Sequence, residues 1–297
     1  MSSPVTKEPT NLTFGFIGML LKLLRGTANM GGPPPHIAVV LDVSGDRGTF
    51  RSRLYPEYKA TRPPPPEGLK EQVERCLRTL EALRIPAIGS EGFEADDAAA
   101  TIVHRLAGEH PEMLVRMVSK DKDLKQLLEE GRVELFDVHT DEVFTADTLL
   151  RDTGLKPRQV IDMLALMGDT VDNVPGVPGV GPKTASELIC HYGSLDELLA
   201  KAHEIKGKRG EKIRETAPAL GLSRELVTLR TDTPLEFDLA AASVERFDLG
   251  SLIPILKELG FNRYQDEVRA LLGHVHPAED KTAFMPTGGP EGARSVG

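Results

Sequence analysis

Residues 92–106 read GFEADDAAATIVHRL, with Glu94, Asp96 and Asp97 inside four positions immediately before an Ala-rich run. Like charges that close repel one another, so their clustering needs a cause. Acids in the first turn of a helix complement its dipole and cap free N–H groups, which accounts for one or two of the three. Other carboxylates sharpen the question. Asp42 ends the apolar run IAVVLD, Asp121 and Asp123 follow MLVRMV in VSKDKDL, and Asp169 and Asp172 sit three apart in LMGDTVDN. That last spacing can put both side chains on one face of a helical turn. Gathered without neutralisation, these eight groups would raise each other's pKa values and cost stability. Hard divalent cations remove the conflict: Mg²⁺ or Mn²⁺ take oxygen ligands, and the lack of nearby His or Cys disfavours zinc. Two such ions about 4 Å apart are a standard device for in-line phosphodiester displacement. The expected metal set is therefore Asp42, Glu94, Asp96, Asp97, Asp121, Asp123, Asp169 and Asp172.

A glycine-rich segment follows the last pair directly. Residues 173–189, NVPGVPGVGPKTASELI, place Gly176, Gly179 and Gly181 in a tight turn, with Lys183 and Thr184 opening a helix. Glycines let backbone N–H groups approach a phosphate, and a helix start favours the anion. The pattern is that of a helix-hairpin-helix clamp on the DNA backbone, independent of sequence. The G-x-x-x-x-G-K-[ST] spacing of a P-loop is absent, and no strand precedes the glycines. A purely structural turn between helices is the plain alternative. Two basic stretches also stand out: RGTFRSRLYPEYKATR (47–62), with Phe50, Tyr55 and Tyr58 among its cations, and KGKRGEK (206–212). The plainest reading of either is a solvated surface loop.

The elements that must position these residues alternate. Runs 36–42, 85–90, 113–119 and 132–138 read as strands; 67–84, the stretch from Ala95, and KDLKQLLEE read as helices. Strands alternating with helices imply an α/β fold, a mostly parallel sheet with helices on both faces, and such sheets gather sites at the carboxyl ends of their strands. Beyond about residue 146 the pattern turns to helix and turn. The expected organisation is an α/β core over 1–145, a helical subdomain over 146–272 that carries the clamp, and a disordered Gly- and Pro-rich tail over 273–297.

Composition fits a globular chain of 297 residues, 40% hydrophobic, long enough for one large domain or one with a smaller companion. No run of about 18 apolar residues suggests a membrane span, since FGFIGMLLKLL is broken by Lys22, and no secretory signal is readable. Cys76 and Cys190 alone make neither a disulfide framework nor a zinc site. A cytoplasmic, monomeric protein is expected. The net charge of −9 runs against a nucleic-acid partner, yet the basic strip shows that distribution outweighs the sum.

Taken together, LYPEYKATRPPPPEGL, GFEADDAAATI, DKDLKQL and LALMGDTVDNVPGVPGVGPKTA resemble the 5′-nuclease family, specifically the bacterial 5′→3′ exonuclease domain at the amino end of DNA polymerase I, related to flap endonucleases. The likeness runs from about Pro9 to about Leu272. It implies a two-metal phosphodiesterase acting on DNA with a 5′ flap, a nick or a free 5′ end in replication and repair, with Asp97 and Asp121 in the catalytic set. It also implies a helical arch near 47–68 that passes a single-stranded 5′ end. There Arg51, Lys59 and Arg62 would face DNA, Lys59 and Arg62 would contact the scissile or neighbouring phosphate, and Tyr58 would stack on a base. The clamp residues Gly176, Gly179, Gly181, Lys183 and Thr184 would grip the duplex behind the flap, with backbone carbonyls able to hold K⁺.

The sequence departs from the family in two places. Family members carry, ahead of the segment that matches EPTNLTFGF, an apolar strand ending in a metal-binding Asp-Gly; the resemblance implies that this strand and its Asp are missing, and with them part of the rate. Lys120 stands where the family has Gly, and its cation either competes with metal or points outward. A catalytically weak branched-DNA-binding module is thus a competing reading, and a metal-dependent phosphatase of small molecules a more distant one.

Overall fold

The computed structural model describes residues 9–275; the expected tail lies, apart from its first residues, outside them. The chain opens with α1 (Asn11–Arg25), β1 (Val39–Val40), α2 (Phe50–Leu54), α3 (Leu69–Leu83), β2 (Ala87–Ile88) and α4 (Ala95–Glu109). Then come β3 (Val115–Val118), β4 (Val133–Asp137), β5 (Glu142–Phe144), α5 (Ala146–Thr153), α6 (Val160–Met167) and α7 (Pro182–Tyr192). Helices α8 (Leu195–Ala200), α9 (Gly207–Val227), α10 (Leu252–Leu259) and α11 (Asn262–Val275) complete it. Among the described residues no helix is long and apolar enough to cross a membrane.

The architecture is α/β with a helical subdomain, and its sheet is in two pieces. β1 pairs with β2 in parallel; β3 pairs with β4 in parallel, and β4 with β5 antiparallel. No ladder among the described residues joins β1 to β3, but Ala38, Val40 and Val115 pack into one cluster with Ala98, Ile102 and Leu106 of α4. β5 is an addition to the expected pattern. Its hairpin turns through Asp141 in the left-handed region (φ 62°) rather than through Gly or Pro.

Two helical expectations shrink for identifiable reasons. KDLKQLLEE forms only a short 3₁₀ turn over Asp123–Leu127. Leu128 turns extended, and Glu129 pairs with Val133 at the start of β4, which ends the helix. The arch region holds just the five-residue α2, followed by turns through Thr61. Pro56 and Pro63 to Pro66 remove the N–H donors a longer helix needs.

One core cluster joins the two halves: Ala100 and Val103 of α4, Met117, Val133 and Leu135 of the sheet, and Leu149, Leu164, Ile189 and Leu220 of α5, α6, α7 and α9. A second unites Ile17 and Leu21 of α1 with Leu80 and Leu83 of α3 and with Leu252, Leu256 and Val268 of α10 and α11. The last two helices, expected in one helical subdomain with α5 to α9, thus pack on α1 and α3 at the other end of the chain.

The glycines of residues 168–181 divide by role. A Cβ on Gly176 would lie 2.3 Å from the Met167 carbonyl oxygen, and one on Gly168 (φ +69°) would lie 2.7 Å from the Gly176 nitrogen. Here the chain recrosses the end of α6, fixed by Val177 N–H donating to the Leu166 carbonyl at 2.9 Å. Gly176, expected among the DNA-gripping glycines, is therefore a packing glycine, its Cα face held against protein backbone. Gly179 is exposed at φ +83°, and a Cβ on Gly181 would meet nothing within 4 Å. Gly176→Ala should cost about 1–3 kcal/mol in a urea melt, as overpacking does. Gly181→Ser, which adds a capping hydroxyl at the start of α7, should hold stability unchanged or better. Equal losses in both would contradict this division.

Candidate active site

The acidic start of α4 does two things at once. Glu94 is the N-cap residue and Asp97 reaches back to it, the Glu94 N–H donating to Asp97 Oδ2 at 3.1 Å in a capping box. Asp97 is fully buried (0% exposed). It accepts from Arg51 Nη1 at 2.5 Å, Arg51 Nη2 at 2.8 Å and the Arg230 N–H at 2.9 Å. Arg51 (1% exposed) also donates to Glu94 at 3.2 Å and to the carbonyls of Leu226 at 2.6 Å and Thr228 at 3.0 Å. Every donor of that guanidinium end is thus turned inward. Arg51, expected on the DNA-facing strip, is a buried crosslink among α2, α4 and the end of α9, and Asp97, expected to hold metal, has its oxygens engaged by protein.

The rest of the strip docks on the acids. The Lys59 N–H donates to the Asp172 carbonyl at 2.9 Å and its ammonium pairs with Glu94. Lys59 adopts φ 55°, in the left-handed region that few non-Gly residues enter. Arg62 Nε donates to Asp172 Oδ1 at 3.0 Å, and Arg62 also reaches Asp46 at 3.4 Å. Tyr58 (4% exposed) donates its hydroxyl to Glu94 at 3.1 Å and lies near Asp172 at 3.5 Å. Burial first, then the Glu94 charge, hold its phenol well above the usual range. A side chain so enclosed offers no face for a base, which replaces the stacking expected of Tyr58.

Asp169 and Asp172 are held by a closed loop, with Asp169 and Val174 exchanging backbone hydrogen bonds at 3.0 and 2.7 Å. The Asp169 carboxylate accepts the N–H groups of Val171 and Asp172, and Lys122 pairs with its other oxygen. Burial would raise its pKa, but the Lys122 hydrogen bond and these N–H groups outweigh it and hold Asp169 below the usual carboxylate range. Lys122 is absent from the residues that sequence reasoning selects. A cation flanked by Asp121 and Asp123 is the signal that could have found it.

Three carboxylates have no such cation. Burial, followed by repulsion from Asp121, Glu94 and Asp97, lifts Asp96 to about 6. Burial, then repulsion from Asp121, lifts Asp123 to about 7. Asp121 is exposed and accepts the Asp123 N–H at 2.9 Å. The Asp123 Oδ1 atom is buried with no hydrogen-bond partner. An orphaned carboxylate oxygen beside two further acids is a donor set that suits a hard divalent cation. Arg51, Lys59, Arg62 and Lys122 pair with the other acids, and among the described residues no three His, Cys, Asp or Glu side chains, Asp96, Asp121 and Asp123 included, stand as a ready metal cage. Asp42 lies on an exposed turn, capping the N–H groups of Ser44 and Gly45 at 3.1 Å, and no contact brings it to the others. Lys120 pairs with Asp137 at 2.8 Å, pointing its charge away from them. Lys183 and Thr184 open α7 beside the exposed Gly179.

The two raised pKa values set a pH dependence. A carboxyl group with a higher pKa in the folded state binds more protons there than when unfolded, so stability falls as pH rises through the window between the two values. For Asp96 and Asp123 that window runs from the ordinary Asp value of 3.8 to about 6 and about 7. In chelator, the melting temperature should drop from pH 5 to pH 8, and Mg²⁺ should restore it at pH 8. A melting temperature that rises over this range, or that ignores Mg²⁺, would remove Asp96 and Asp123 from the site.

A family model described as the 5′-3′ exonuclease N-terminal resolvase-like domain matches residues 2–154, and one described as the 5′-3′ exonuclease C-terminal SAM fold matches residues 155–249. The chain is 42% identical over 265 residues to a DNA polymerase I of Rhizobium leguminosarum, covering 87% of this chain and 26% of that one. It is 36% identical over 272 residues to a 5′-3′ exonuclease of Aquifex aeolicus, covering 90% and 86%. The chain spans between 26% and 31% of the length of the DNA polymerase I relatives it matches. Its fold resembles the T5 D15 protein co-crystallised with metal ions, with a TM-score of 0.58 at 22% identity, covering 89% of this chain and 97% of that one.

Proposed function

Because this chain belongs to the 5′-3′ exonuclease family, we propose that it is a structure-specific 5′ nuclease that hydrolyses DNA phosphodiester bonds at 5′ flaps, nicks or free 5′ ends. The observation that carries this reading is the orphaned Asp123 oxygen among Asp96 and Asp121, bordered by cations already paired to acids. Asp96, Asp121 and Asp123, with Glu94, Asp169 and Asp172 once their cations are released, would hold two divalent ions, Mg²⁺ or Mn²⁺. Ions bound there supply an activated water and neutralise the leaving oxygen.

The chain's own residues do the remainder. Lys59 and Arg62 exchange Glu94 and Asp172 for the phosphate, and in doing so free those carboxylates. Cations at a transferring phosphoryl group act chiefly on the charge that develops there. The Tyr58 hydroxyl keeps Glu94 oriented from its protein side. Arg51 and Asp97 hold the start of α4 in place without touching DNA. Gly179 and Gly181 offer open backbone for the duplex, and carbonyls of the same turn are suited to K⁺.

The direct test uses end-labelled 5′-flap, nicked and blunt DNA with Mg²⁺, with Mn²⁺ and with chelator. Cleavage of the flap or nick that needs the metal is the expected outcome. Tight binding of branched DNA with no cleavage under either metal would favour a DNA-binding module that retains the nuclease fold.

A further inference from the structure

The two oxygens of Asp169 are divided between backbone and side chain. The N–H groups of Val171 and Asp172 both donate to Oδ1, at 2.8 and 3.1 Å, and the Lys122 ammonium pairs with Oδ2. Oδ2 is thus the oxygen that Asp169 has left to give an ion, and a cation of the chain already holds it. Resting on the metal-binding role proposed for these acids, we propose that Lys122 is a positioning residue built into the metal site. Its ammonium stands in for a divalent ion at Asp169, holds that carboxylate in place while the site is without metal, and sets by competition the metal concentration at which the site fills.

The space around the pair is sized for one small body. Lys122, Asp123, Asp169 and Asp172, with Tyr58 and Leu164, line a cavity of about 10 Å³, close to what one water-sized sphere needs. The ammonium feels the charges of Asp123, Asp169 and Asp121 together, and Asp123 Oδ1 still has no hydrogen-bond partner. One lysine cannot balance three carboxylates, whereas an ion of charge two that takes several oxygen ligands does so better. An ammonium is also a compact charge on a flexible stem, without the two-pronged grip of a guanidinium. It is the kind of cation that gives way to a metal.

The backbone sets Lys122 apart from the other paired cations. Lys59 and Arg62 reach Glu94 and Asp172 from the turn after α2, so they can leave as that turn moves. Lys122 cannot: it is the N-cap of the 3₁₀ turn Asp123–Leu127, between two of the proposed ligands. That turn is pinned by the buried Leu124 and by Gln126, which donates to the Val227 carbonyl at 3.0 Å and accepts the Leu229 N–H at 3.0 Å. Only the side chain of Lys122 can yield, and at 43% exposure it has solvent to yield into. The competition with metal that the sequence allows for Lys120 falls instead to Lys122, because Lys120 is turned to Asp137.

The test compares Lys122→Met, Lys122→Gln and Lys122→Arg with the wild type and with Lys120→Met as a control, all without DNA. Mn²⁺ binding is followed by the paramagnetic resonance of the free ion, and melting temperatures are taken in chelator and in saturating Mg²⁺. The Met and Gln variants should bind Mn²⁺ at least about fivefold more tightly, because a partly exposed ion pair no longer has to be broken. Both should melt below the wild type in chelator, and Mg²⁺ should close the gap, since the ion takes over the role of the lysine. Lys122→Arg should bind Mn²⁺ no more tightly than the wild type, and Lys120→Met should match it. Unchanged or weaker Mn²⁺ binding in a folded Met or Gln variant would overturn the competition, and a melting gap that Mg²⁺ leaves open would reduce Lys122 to a structural pair. An Arg variant that binds as tightly as the Met variant would overturn it too, since charge would not be the competitor. A wild type that takes up no Mn²⁺ would instead overturn the metal-binding reading itself.

Discussion

Asp123→Asn should lower flap cleavage by at least about 100-fold while raising the melting temperature of the metal-free protein. The first effect follows from a site in which losing even an outer partner of a metal costs about 10–100-fold; Asp123 is proposed as a direct ligand. The second follows from the buried, unpartnered Oδ1 and from the repulsion that lifts this carboxyl to about 7. Above that pH the wild type holds a largely buried charge that Asp121 repels and Lys122 offsets only in part, which the amide abolishes. Duplex binding should stay near wild type, because the residue sits among acids and away from Gly179. The two effects must appear together: lost activity with lowered stability would mean a folding defect, and cleavage near the wild-type rate would remove Asp123 from the metal set. Active sites that store such repulsion trade stability for function.

Arg51→Ala should destabilise the protein by about 3–5 kcal/mol, the range for breaking a buried ion pair from one side. Asp97 would be left with no cation at 0% exposure, and the Leu226 and Thr228 carbonyls would lose their donor. Urea melts give the measurement. Replacing both partners, Arg51→Met with Asp97→Leu, should recover much of the loss, since paired apolar replacements avoid the stranded charge. A loss below about 1 kcal/mol in the single variant would show that the crevice admits enough water to screen Asp97, and would restore it as a candidate metal ligand.

Much of this architecture is legible in the sequence because its signals are local. The helical spacing of Leu69, Val73, Leu77, Leu80 and Leu83 reads out as α3, and the Ala-rich run after Asp97 as α4. Asp121 and Asp123, after the run MLVRMV, fall near Asp96, whereas Asp42 at the end of IAVVLD stays on an exposed turn apart from them. What stays hidden is non-local. Nothing near Arg51 in sequence announces that its guanidinium meets carbonyls 175 and 177 residues away, so an Arg in a basic strip reads as a DNA contact. Gly176 and Gly179 look alike in sequence, yet Gly176 has the Met167 backbone behind it and Gly179 is exposed at positive φ. β5 escapes because its turn uses Asp141, where composition offers no Gly or Pro to mark it. The pairing of Lys59, Arg62 and Lys122 with acids likewise depends on how the turn after α2 docks on the loop at Asp169.

The cluster that runs from α4 and the sheet through α5, α6, α7 and α9 has a metrical consequence. Leu149 and Leu155 lie on either side of the point where the two family models meet, and both are inside that one cluster, at 2% and 0% exposure. Close-packed interiors transmit displacement with little give, and the Arg51 crosslink ties the same two regions. The span between the surface at Gly179 and the crevice at Asp123 is therefore set by packed side chains, as on a ruler with no sliding part. Under the roles proposed for the two ends, a substrate gripped at one would meet the acids a fixed number of nucleotides from the grip, and the position of the cut would be set by the core.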